Sequence, residues 1–78
     1  MDNGLFHECK VEVKALFARA EEADTVSELC DISYELGRFA EKVGGFYLRG
    51  LFNDAAYRSV KGDVNKLMDL IICREVTE

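Results

Sequence analysis

The residues from which catalysis would have to be built are few: one histidine, His7, and three cysteines, Cys9, Cys30 and Cys73. A cysteine nucleophile needs a base within hydrogen-bond reach. His7 and Cys9 form the one close pair. Two apart on a helix, their side chains point roughly 200° away from each other and do not meet. Cys9 instead falls on an apolar stripe, as a small core residue, and the same reasoning places Cys30 near the edge of the next stripe and leaves Cys73 exposed. A metal site needs three or four converging donors, such as Cys or His at short paired spacings. The cysteines stand singly, with no CxxC. Gly44, Gly45 and Gly50 match neither the Gly-x-Gly-x-x-Gly fingerprint nor the Gly-Lys-Ser/Thr ending of a phosphate loop. The sequence points to no catalytic residue, no cofactor and no metal, and the expectation is a protein that is not an enzyme.

The acids carry more information. Between residues 20 and 37 stand Glu21, Glu22, Asp24, Glu28, Asp31 and Glu35, with no Lys or Arg among them. Asp24, Glu28, Asp31 and Glu35 follow a 4, 3, 4 spacing. On a helix this makes one ridge, with successive members about 5–6 Å apart, broadly the spacing of phosphates along a nucleic-acid strand. Tyr34 lies on the outer side of the same helix, and tyrosine is a common interface anchor. Phe46 and Tyr47 sit in a dense aromatic stretch further on. Asp24, Glu28, Asp31, Glu35, Tyr34, Phe46 and Tyr47 are the candidate partner-binding residues.

Bulk properties narrow the partner. The net charge is −5, with 10 basic residues against 15 acidic ones. A nucleic-acid surface shows a clustered basic excess, so direct nucleic-acid binding is not expected. A recognition helix would need base-reading and phosphate-contacting side chains; the second helix carries Glu28, Asp31 and Glu35 before its first basic residue, Arg38. No apolar run reaches the 18 residues that a membrane span requires. The odd cysteine count without paired spacing, and the absence of a signal-type N-terminal segment, lead to an expected cytoplasmic location with reduced thiols.

The elements that position these residues follow from apolar periodicity. Seventy-eight residues suit a single helical domain, 1–78. Leu5, Cys9, Val13, Leu16 and Ala20 share a face of a first helix, about 4–22, widened by Phe6 and Phe17 and capped by Asp2 or Asn3. Thr25-Val26-Ser27-Glu28 has the form of a capping box and starts a second helix, about 26–43, with its stripe at Leu29, Ile32, Ser33, Leu36, Phe39, Ala40 and Val43. The Gly44-Gly45 pair predicts the helix end there, one glycine supplying the left-handed residue. The aromatic stretch 46–53 then reads as a turn or short helix, followed by a third helix, about 54–75, capped by Asn53 or Asp54. That helix buries Tyr57, Val60, Val64, Leu67, Met68 and Ile71.

The fold class is therefore all-α: a small compact bundle of three main helices. With 49% of residues apolar, there is more to hide than three short helices easily cover, and a homodimer is expected. The function expected is a non-catalytic regulator or adaptor that binds another protein. The alternative is an acidic nucleic-acid mimic, of the kind phages use against defence nucleases, whose partner would be a basic nucleic-acid-binding protein.

Overall fold

The computed structural model describes residues 2–77. Three helices fill it: α1 (Asn3–Glu22), α2 (Val26–Leu48) and α3 (Asp54–Thr77). Each begins on a short polar side chain that accepts a first-turn N–H, which the helix itself cannot satisfy. Asp2 accepts from Leu5 N at 3.0 Å, Thr25 from Glu28 N at 3.1 Å, and Asn53 from Ala56 N at 2.8 Å. Glu28 reaches back as a capping box requires, but to the Asp24 N–H at 3.0 Å, one residue earlier than the pattern implies.

The helices run up, down and up. Ion pairs Arg19–Glu35 (2.6 Å) and Glu12–Lys42 (2.8 Å) set α1 antiparallel to α2. Lys10–Asp63 (2.6 Å) near one end and Arg74 against α1's last turn at the other set α1 parallel to α3. The bundle measures 41 × 17 × 16 Å. Its core runs the full length, from Cys9, Val13, Leu16 and Ala20 of α1, through Leu29, Ile32, Leu36, Phe39 and Val43 of α2, to Val60, Val64, Leu67 and Ile71 of α3. The stripes expected from periodicity are the ones buried. Leu5, Ser33, Ala40, Tyr57 and Met68 sit half-buried at their edges or ends.

One boundary differs from expectation. α2 does not stop at Gly44-Gly45; it runs on to Leu48 and ends on Gly50, whose φ is +78°. The Gly50 N–H bonds to Tyr47 O (3.0 Å) and the Leu51 N–H to Phe46 O (2.9 Å), the paired closure of a Schellman motif. Residues 46–48 are thus the last turn of α2, and 49–53 form the connection. Two mid-helix glycines cost about 1 kcal/mol each relative to alanine. Carrying the helix past them brings Phe46 edge-on to Phe52 at 5.7 Å and stacks Tyr47 on Tyr57 at 4.3 Å. Burial contributes roughly 1.5–3 kcal/mol for a fully covered ring such as Phe52 and about half that for each of the half-buried Phe46 and Tyr47, together more than the glycines lose. The longer α2 also changes the apolar account: Phe52 is 2% exposed, and Phe6 packs on it at 6.0 Å. The exposed large apolar side chains, Val11, Val26, Tyr34, Leu48, Ile72 and Val76, are spread over all three helices.

Candidate functional site

The outer side of α2 holds most of the residues singled out from the sequence. Tyr34 is five residues from Leu29 and two from Ile32 and Leu36, which turns it directly away from the core; it is 68% exposed. Glu28, Asp31 and Glu35 are exposed and lie on the flank of α2 that faces α1; Asp24, also exposed, is not part of the helical ridge expected from its spacing, because the extended Thr25 cap starts α2 after it. Between the two helices runs an open groove of about 490 Å³, floored by Leu16 and Phe39, with Tyr34 and Arg38 at its mouth. A smaller one of about 340 Å³ continues it toward the α1–α2 corner, beside Arg19, Glu28 and Asp31.

Charge in this region is mixed. Glu35 pairs with Arg19, and Glu28 spends one oxygen on the Asp24 amide. Lys42 bonds both oxygens of Glu12 and rests over the Phe39 ring at 5.5 Å. Arg38 lies over the Tyr34 ring at 6.0 Å. The carboxylate ridge is continuous through Asp31 and is met by cations from Glu35 onward. Sequence spacing alone overlooked Arg19 and Lys42; the signal was available in the antiparallel pairing of α1 with α2, which brings Arg19 to Glu35 and Glu12 to Lys42.

Phe46 and Tyr47 are elsewhere. Phe46 stands twelve residues beyond Tyr34, about 18 Å along the helix, and is half-buried in the α2–α3 corner with the Arg49 guanidinium 5.4 Å from its ring centre. Tyr47 stacks on Tyr57 and donates its hydroxyl to Asp54. That hydrogen bond, reinforced by the carboxylate's charge, holds the phenol above the ordinary tyrosine range. The structure does not bring these two rings together with the acidic ridge; they close the corner. Leu48, beside them, is 86% exposed.

Of the thiols, Cys9 is buried in the core, and burial pushes it above the usual cysteine value. Cys30 is exposed, which corrects its placement on the core edge: one residue past Leu29, it is turned about 100° out of the stripe. Cys73 is exposed as expected, and so is His7. Among the described residues no three His, Cys, Asp or Glu side chains are grouped to hold a metal ion, and no helix is long and apolar enough to cross a membrane. Comparison with known protein families, with curated proteins and with solved structures finds no match to this chain.

Proposed function

We propose that this protein is a non-catalytic interaction module, a small cytoplasmic regulator or adaptor that works by binding another protein through the outer side of α2. The observation that carries this reading is Tyr34: a large aromatic, 68% exposed, at the mouth of an apolar-floored groove and beside an arginine. Tyrosine and arginine are the residue types that most often dominate binding energy at protein interfaces.

The test is affinity capture from nuclease-treated native lysate at low and high salt. Wild type runs beside Tyr34→Ala and beside the Glu28/Asp31/Glu35 reversal to lysine. Loss of a specific protein with Tyr34→Ala supports the module; an unchanged set of captured proteins counts against it. A second reading, the nucleic-acid mimic, draws support from Glu21, Glu22, Asp24, Glu28 and Asp31, all exposed at the α1–α2 corner. It requires a nucleic-acid-binding protein that is lost on charge reversal and in about 0.5 M salt, where exposed charges a Debye length apart are screened.

A further inference from the structure

The charged residues along the exposed flank of α2 beside α1 are arranged in a way that selects one kind of partner. Asp31, Glu35, Arg38 and Lys42 lie within about 60° of one another at 100° per residue. Their spacings are 4, 3 and 4, a palindrome about the point between Leu36 and Gly37. The two positions before that point are acidic and the two after it are basic. A stripe of this kind is its own complement when turned end for end.

We propose that the occupant of this face is a second copy of the chain, bound with the two α2 helices antiparallel about a two-fold axis near Leu36–Gly37. The inference rests on reading the outer side of α2 as an interaction surface and names its partner. In this register Asp31 faces Lys42 of the second copy and Glu35 faces its Arg38, and each pair occurs twice by symmetry. Parallel packing would set like charges opposite each other and is repelled. A uniformly acidic or uniformly basic partner would match one half of the stripe and be repelled by the other, so electrostatic complementarity favours the second copy over either.

The charges present support the pairing. The carboxylate of Asp31 and the guanidinium of Arg38 take no ion-pair partner among the described residues. Glu35 and Lys42 already hold Arg19 and Glu12. Adding Arg38 and Asp31 from the second copy extends these into alternating triads, Arg19–Glu35–Arg38 and Glu12–Lys42–Asp31. Networks of this form contribute where isolated exposed pairs do not. Glu28 and Glu41 lie to either side of the stripe; opposite Glu28 the register places Gly45, which offers no like charge. Tyr34, on the Glu41 side, meets the Arg38–Glu41 turn of the second copy.

The experiment is sedimentation equilibrium of the full chain, with folding of every variant checked by circular dichroism. Wild type is expected to be dimeric at about 100 µM in low salt and to shift toward monomer in about 0.5 M salt. Glu35→Arg alone and Arg38→Glu alone each turn two attractive pairs repulsive, and each is expected to weaken self-association by about tenfold or more. An equimolar mixture of the two single variants restores opposite charges at both positions and is expected to form the heterodimer. The double variant Glu35→Arg/Arg38→Glu restores the homodimer. Rescue on mixing cannot come from a folding defect. A wild type that is monomeric at about 500 µM in low salt overturns the proposal, as does a mixture of folded variants that stays monomeric. If the monomeric chain still captures a protein through Tyr34, the second copy is refuted and the module reading stands; if Tyr34→Ala has no effect on capture while the dimer forms, the reverse holds.

Discussion

Arg74 is the side chain whose removal tells most about how the bundle is held. From the last turns of α3 its guanidinium donates to the carbonyls of Ala20 (2.7 Å), Glu21 and Ala23 (each 2.5 Å). Those of Ala20 and Glu21 are among the carbonyls that α1 leaves without helical partners at its C-terminus, where the macrodipole also favours a cation, and that of Ala23 belongs to the cap residue that follows. A hydrogen bond to a charged group contributes a net of about 1.5–3 kcal/mol when buried. The Glu21 carbonyl is exposed and water replaces its bond readily; the Ala20 and Ala23 bonds are partly buried. Counting those two at the low end of the range gives about 3 kcal/mol for Arg74→Met. With an m-value near 1 kcal/mol/M in urea, the unfolding midpoint followed by circular dichroism falls by about 3 M. For a domain this small each kcal/mol shifts Tm by about 4–8 °C, so melting drops by about 12 °C or more. Arg74→Lys keeps the charge without the planar fork and is expected to lose roughly half as much. A loss below about 0.5 kcal/mol for Arg74→Met would refute the claim that this residue ties α3 to the end of α1.

Further predictions use the glycines, the thiols, the corner tyrosine and the core. A Cβ at Gly37 or Gly44 meets nothing within 4 Å, so Gly37→Ala and Gly44→Ala are each expected to raise stability by about 0.5–1 kcal/mol in urea melts. Gly50→Ala, at φ +78°, is expected to lower it by about 1 kcal/mol or more. Under native conditions a thiol reagent should modify Cys30 and Cys73 rapidly and buried Cys9 only slowly, with all three equivalent in denaturant. Because Tyr47 has a raised folded-state value, its bond to Asp54 is intact at neutral pH and is lost as pH rises through that value. Asp54→Asn should therefore move a late phase of the tyrosine absorbance titration to lower pH. Leu36→Ala, at a fully buried position, should cost about 2–5 kcal/mol, a large share of the total stability of so small a domain.

What could be read from the chain beforehand was governed by burial periodicity. The buried stripes of all three helices follow apolar spacing because each helix meets the core along one side, and the caps at Asp2, Thr25 and Asn53 are short-range hydrogen bonds that local sequence encodes. The end of α2 was not legible for a tertiary reason: glycine propensity at 44 and 45 is a local preference of about 1 kcal/mol per residue, and the stacking of Tyr47 on Tyr57 and packing of Phe46 on Phe52 override it. Cys30 was misplaced by treating residues adjacent to a stripe as part of it. The mixed character of the α2 face was missed because the acids were considered along one helix alone, whereas Arg19 arrives from α1.

The parallel alignment of α1 and α3 places the start of α1 and the end of α3 at opposite poles. Asn3 lies beside the aromatic corner and the last turn of α3 beside the α1–α2 connection, separated by most of the 41 Å long axis. Spanning the distance between these two helix ends would take about a dozen extended residues at 3.3–3.6 Å each. The same geometry makes the bundle a ready-made strut: two domains fused before α1 and after α3 are held apart and pointed in opposite directions, a spacing that a flexible linker of similar length would not maintain.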